Sequence, residues 1–168
     1  DEKVRERLES PQYHSLVKKC FRDWSAAESE DKRVLLRNLL ANAASSMIVS
    51  DDIVRLFIEW IANYSEVHFK VLALVYKRPG VTRFGMWQDV HGGRVREDSA
   101  EADLFKLVIS DLSVGHVMRQ ERETDQSGNF LRKTTRTKRG PLMQSAFDDE
   151  KPYELTELGK QFVHYTMN

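Results

Sequence analysis

Residues 153–162 read YELTELGKQF. Tyr153 and Leu155 alternate as they would on a strand with one buried face. Thr156 stands where a helix N-cap belongs, its hydroxyl able to accept from the first unpaired backbone N–H groups. Gly159 follows in the first turn, where a missing Cβ lets a neighbouring backbone approach closely. The stretch therefore predicts a short extended piece, PYELT, running into a terminal helix, ELGKQFVHYTM.

Upstream, two polar runs, VMRQERETD (117–125) and NFLRKTTRT (129–137), flank Gln126-Ser127-Gly128. Thr, Arg and Phe at alternating positions around such a turn predict a two-stranded hairpin. Before it, Thr82 caps a short helix, RFGMWQDV, which ends at Gly92-Gly93. Asp98 and Glu101 make a capping-box arrangement for the next helix, with Ala102, Phe105, Leu107, Val108, Ile109 and Leu112 as its apolar positions and Gly115 as its end.

The first half of the chain has helical grammar throughout. Ser10-Pro11 opens a helix whose Tyr13, Leu16, Val17, Cys20, Phe21, Trp24 and Ala27 recur at three and four residues. A second helix near 31–47 carries Leu36, Leu39, Leu40, Ala43 and Met47, and its NLLANAASS segment permits close packing. Ser50 caps a third, with Asp51 and Asp52 at its positive dipole end. Ile53, Val54, Leu56, Phe57, Ile58, Trp60 and Ile61 surround that helix almost completely, so it should be central. Ser65-Glu66 starts a fourth, which stops before Pro79-Gly80. The opening DEKVRERLE is also helical in character, and Asp1 in place of Met suggests a piece of a longer protein.

The phrase at 153–159 resembles the Y-x-L-T-x-x-G phrase that closes the wing in the winged-helix domains of many bacterial regulators. The resemblance spans roughly residues 65–165. The whole chain is also similar to an uncharacterised group of bacterial proteins in which an LLANA-type phrase, here Leu39 to Ala43, precedes a small winged helix. Together these imply a mainly α fold with a small β hairpin: an N-terminal helical bundle over 1–78, then a winged helix over 79–168.

Composition narrows the class without naming a partner. The chain has 168 residues, 26 basic and 26 acidic, with 40% hydrophobic and 31% charged residues. These proportions describe a globular protein, not a disordered tail. With zero formal net charge, any case for nucleic acid must rest on local asymmetry. The single cysteine, Cys20, excludes an internal disulfide and suits a reducing, cytoplasmic setting. It sits on an apolar stripe, where a small buried hydrophobe is expected. No apolar run approaches membrane-spanning length, so no membrane partner is expected. Asn63-Tyr64-Ser65 matches a glycosylation sequon but reads as a helix end followed by a cap.

Local asymmetry is present. Arg132, Lys133, Arg136, Lys138 and Arg139 follow one another without an intervening carboxylate, on the expected wing. Each such cation that neutralises a phosphate releases condensed counterions, so the run is a candidate nucleic-acid contact. The helix that a winged helix would lay in the major groove opposes this, with Asp98, Glu101, Asp103 and Asp111 against Lys106 alone. Binding would then be led by the wing, dominated by the backbone and weakly sequence-specific. The same run also reads as a solvent-facing edge whose charges discourage edge pairing, opposed by Glu121, Glu123 and Asp125 on the other arm.

Chemistry has no visible carrier. His14, His68, His91, His116 and His164 lie on separate segments without ligand spacing, so no metal site is expected. Asp51-Asp52 and Asp148-Asp149-Glu150 are explained by capping and solvation. No phosphate-binding, nucleophile-elbow or dinucleotide motif occurs. The sequence thus predicts a non-enzymatic binding module without a cofactor, for nucleic acid through a basic wing or for a protein partner with the winged helix as scaffold. An enzyme whose site forms only with other parts of the chain is the remaining reading.

Overall fold

The computed structural model describes residues 2–46, 49–93, 95–122, 124–127, 129–131 and 145–167. In chain order they form α1 (Glu2–Glu9), α2 (Pro11–Ala26), α3 (Glu30–Ser45), α4 (Asp51–Asn63), α5 (Glu66–Lys77), β1 (Val81–Thr82), α6 (Arg83–His91), α7 (Ala100–Val114), β2 (Met118–Gln120), β3 (Pro152–Leu155) and α8 (Glu157–Met167). The fold is mainly helical, with a small three-stranded antiparallel sheet. The chain divides into two compact units, Asp1–Glu66 with Lys160–Asn168, and Val67–Gly159. Among the described residues no helix is long and apolar enough to cross a membrane.

In the first unit, serines start the helices. Ser10, Ser29 and Ser50 accept from the N–H groups of Tyr13, Lys32 and Ile53, at 3.2, 3.3 and 3.4 Å. Each bond satisfies a donor that the helix itself leaves orphaned. Helix α4 is central as expected: Val54, Phe57, Ile58, Trp60 and Ile61 are buried, with Ile53 and Leu56 half-buried. Phe162 of α8 meets Phe57 and Trp60 edge-on, with ring centroids 5.3 and 5.4 Å apart.

The polar members of the NLLANAASS segment carry a role that its small residues concealed. Asn38 and Asn42, one turn apart on α3, donate to the carbonyls of Thr166 and Tyr165 at 3.0 and 2.9 Å. These are last-turn carbonyls of α8, which have no partner within their own helix. Cys20 is buried, and that burial, seconded by Asp23, pushes its thiol up to about 12. Phe21 departs from expectation and is 63% exposed. Tyr13, Leu16 and Cys20 define the buried line of α2, and Phe21 lies about 100° round the helix from Cys20. Met47, expected on the α3 stripe, lies outside the described residues.

The second unit is organised by β3. Its neighbours are β1 and β2, in the order β1-β3-β2. Tyr153 lies opposite both Val81 and Gln120, and Leu155 opposite Met118. The stretch that closes the sequence is thus the central strand, not an accessory to a hairpin. Of the expected pairing of 117–125 with 129–137, residues 132–137 lie outside the described residues, and the described part shows a Thr124–Phe130 bridge and an Asp125 N–H to Asn129 carbonyl bond of 2.8 Å. Met118–Gln120 pairs with β3, where Tyr153 and Leu155 are buried. Strand β1, which the sequence reading did not contain, is only two residues long. Such a piece is too short to show a period.

Trp87 centres this unit's core, with Phe105 and Phe147 edge-on at 5.3 Å each. Its indole N–H donates to the Gly93 carbonyl at 2.7 Å. Gly92 terminates α6 at φ 85°, as the glycine pair predicts. Helix α7 begins one residue later than expected. Ser99 is its cap, accepting from Ala102 N–H at 3.2 Å, while Asp98 pairs with Arg96.

Helix α7 ends at Gly115, as expected. That residue keeps a right-handed φ of −68°, and the left-handed residue is His116, at φ 57°. The His116 and Val117 N–H groups reach back to Ser113 and Leu112 carbonyls at 3.2 and 3.0 Å. These are the two bonds of a Schellman turn, with His where glycine is usual.

Candidate functional site

The Val67–Gly159 unit holds an open cleft of about 690 Å³ between α7, β2 and β3. Arg83, Lys106, Arg119, Arg122 and His116 line it, and among the described residues no carboxylate does. Each side chain is placed by the local fold. Arg119 and Arg122 come from β2 and its exit, Lys106 from α7, and His116 from the turn that ends α7.

Arg83 is the most confined of these cations, 9% exposed. Its Nε donates to the Tyr153 hydroxyl at 2.8 Å, and its guanidinium lies 5.7 Å from the centre of the Tyr153 ring. Gln120 Nε2 donates to the same hydroxyl at 3.2 Å. Two donors occupy the oxygen, so the Tyr153 O–H is left to act as a donor.

At the rim, Phe130 lies beneath two guanidiniums, with Arg119 4.9 Å and Arg122 5.7 Å from its ring centre. Arg119 also donates to Glu154 at 2.8 Å. Arg122 has no carboxylate partner among the described residues. Cation–aromatic contact leaves most of a guanidinium's donors unused, so this charge is available to a ligand.

Lys106 is held by Glu97, through its carbonyl at 3.1 Å and its carboxylate at 3.6 Å. Glu97 in turn accepts from the Ser145 hydroxyl and from Ala146 N–H. Partial burial pushes the Glu97 carboxyl up, but the Ser145 and Ala146 hydrogen bonds and the Lys106 charge outweigh it and hold it below its ordinary value. On the hairpin turn, Asp125 accepts from Asn129 N–H and Ser127 N–H, at 2.9 Å each, and these bonds lower its carboxyl.

Arg132, Lys133, Arg136, Lys138 and Arg139 lie outside the described residues, as does Arg94. The run's flanks are described: Phe130 lines the cleft, and Ser145 is tied to Glu97. Comparison with protein-family models, curated proteins and solved structures finds no match.

The sequence reading missed Arg83, Arg119, Arg122, Phe130 and Tyr153 as members of one site. A signal for two of them existed, since the 117–125 arm holds Arg119 and Arg122 beside the acids that drew notice. Nothing in the linear order joins them to Arg83 or Tyr153.

The acids of α7 are distributed differently from the cleft's cations. Asp111 faces His68 Nε2 at 3.3 Å, and Asp103 lies 3.5 Å from Lys106. Glu101 is exposed. Between them Leu104 and Leu107 are also exposed. Leu107 was expected on the buried stripe; Phe105, Val108, Ile109 and Leu112 form that stripe at i, i+3, i+4 and i+7, and Leu107 falls on the far side.

Proposed function

We propose that the chain is a non-enzymatic binding module whose Val67–Gly159 unit is a winged helix that contacts nucleic acid. The order α5, β1, α6, α7, β2, β3, with sheet order β1-β3-β2, supports the winged-helix reading. In it α6 and α7 are the helix pair, and the segment between β2 and β3 is the wing.

One observation carries the nucleic-acid reading. The cleft beside α7 is lined by three arginines, a lysine and a histidine with no carboxylate among the described residues. Phosphate neutralisation requires such gathered cations, and although Arg119 and Lys106 are shared with Glu154, Glu97 and Asp103, Arg122 has no carboxylate partner among the described residues. Contact is to the backbone, and sequence preference is weak, because the exposed Glu101 and Asp103 of α7 repel phosphates that would flank it in a groove.

The test is fluorescence anisotropy of labelled oligonucleotides of unrelated sequence across a salt series. Wild type binds at low salt, where electrostatics are least screened. Reversal of charge at Arg132 and Arg136 weakens every sequence similarly and flattens the salt dependence. No wild-type binding at low salt removes the reading.

A second reading rests on the outer face of α7. Leu104 and Leu107, 49% and 54% exposed, lie beside the carboxylates of Asp103 and Asp111. That combination suits an amphipathic basic segment of a partner protein, with the winged helix as scaffold. It gains if nucleic acid fails to bind and such a peptide binds with an affinity that Leu107→Glu abolishes.

A further inference from the structure

Building on that nucleic-acid reading, we infer that the cleft takes single-stranded nucleic acid, with an unstacked base against Phe130 and its guanidinium neighbours, and not a duplex.

Phe130 is 44% exposed, at a cleft whose lining joins cations and hydroxyls with Gln120 and the apolar Val114 and Met118. Arg119 and Arg122, at 4.9 and 5.7 Å from its centre, make it part of a group of planar surfaces. Aromatic rings and guanidinium planes are the surfaces on which splayed-out bases stack. In a duplex both faces of each base are already covered, and such a platform has nothing to receive. The cleft, at about 690 Å³, is of a size that encloses a small molecule. A nucleotide with its base turned inward matches it; the rigid edge of a double helix does not enter it.

The interior chemistry agrees. Tyr153 presents an O–H whose oxygen already accepts from Arg83 and Gln120, and no acceptor for its own proton occurs among the described residues. Base edges and phosphate oxygens are acceptors. Outside the cleft, Asp103 on α7 has a side chain 70% exposed, and Glu101 is exposed beside it. A duplex with α7 in its groove brings phosphates to both carboxylates, whereas a strand running along β2 and the cleft passes them by.

The experiment compares one mixed-sequence strand of about 12 nucleotides, within the usual site sizes for such grooves, with the same strand annealed to its complement. Anisotropy is measured on the full chain at low salt for wild type, Phe130→Ala, Phe130→Leu and Phe130→Trp, with circular dichroism confirming each fold. The single strand binds at least about tenfold more tightly than the duplex, and Phe130→Ala weakens it about 5- to 150-fold. Phe130→Leu, which keeps apolar bulk but loses the π face, fails similarly, and Phe130→Trp retains binding. Equal or tighter duplex binding, or indifference to Phe130→Ala, overturns the stacking inference while the nucleic-acid reading stands. Failure of both oligonucleotides to bind overturns that reading and this inference together.

Discussion

Gly159 packs its Cα against the backbone carbonyl of Val117, where an added Cβ would run into the carbonyl oxygen. The same carbonyl accepts from Thr156 N–H at 3.0 Å, while the Thr156 hydroxyl donates to the His116 carbonyl at 2.7 Å and lies 3.1 Å from that of Val117. That hydroxyl also accepts from Gly159 N–H at 3.0 Å. Strand end, helix cap and glycine are therefore one device that holds the start of α8 on the turn leaving α7. Because the obstacle is backbone, not a flexible side chain, it cannot swing aside.

Gly159→Ala accordingly destabilises the protein by about 1–3 kcal/mol, although alanine is the better helix former. Chemical denaturation of the purified variant measures this. A stability equal to or above wild type contradicts the close approach.

His116 holds a left-handed backbone conformation without being glycine. That conformation costs an ordinary L-residue about 1–2 kcal/mol, and glycine's greater freedom in the unfolded chain returns about 0.5–1 kcal/mol. His116→Gly is therefore expected to stabilise the fold by about 0.5–1 kcal/mol, with His116→Ala giving no such gain. Paired denaturation curves decide it. Because His116 lines the cleft, a stabilised variant with weakened ligand binding would show strain retained for function.

Phe57 is fully buried between Trp60 and Phe162. Phe57→Ala is expected to cost about 3–5 kcal/mol, the sum of lost transfer energy and an unfilled cavity. A measured loss below about 1 kcal/mol would mean that α4 is peripheral.

Glu97 links Lys106 to Ser145 and Ala146, and its carboxyl lies below the ordinary value of 4.5. Folding thus favours the charged form. Its contribution is present above that ordinary value and is lost as pH falls through the lowered one. Wild type should exceed Glu97→Gln in stability near neutral pH, and the gap should close as the pH falls below the ordinary carboxylate range. Denaturation at a series of pH values tests this, and a gap independent of pH rules the linkage out. The side chain is 47% exposed, so solvent screening keeps the effect modest.

Much of the helical half was legible because its signals are local. Ser10 and Ser50 announce helix starts through groups three residues away, and the apolar encirclement of α4 leaves no face to be wetted. The stretch 153–162 was legible for the same reason, since a strand period, a cap and a small residue act within one another's reach. The Ser99 cap was misplaced by one residue because Asp98 offers a competing oxygen, and Arg96 claims it in the folded chain. At the end of α7, glycine and histidine stand side by side, and only the path of the chain into β2 decides which takes the left-handed turn.

By itself, the sequence determined a mainly helical chain, its helix boundaries to within a residue or so, and the presence of a basic run. Tertiary structure alone decided that β3 pairs with both β1 and β2, that Asn38 and Asn42 complete the end of α8, and that Arg83, Arg119, Arg122, Phe130 and Tyr153 share one cleft. The physical reason is range. Propensity, capping and periodicity act over a few residues. Strand partners and the members of a site are separated along the chain by up to 72 positions, as Val81 is from Tyr153, and meet only when burial of distant apolar faces brings them together.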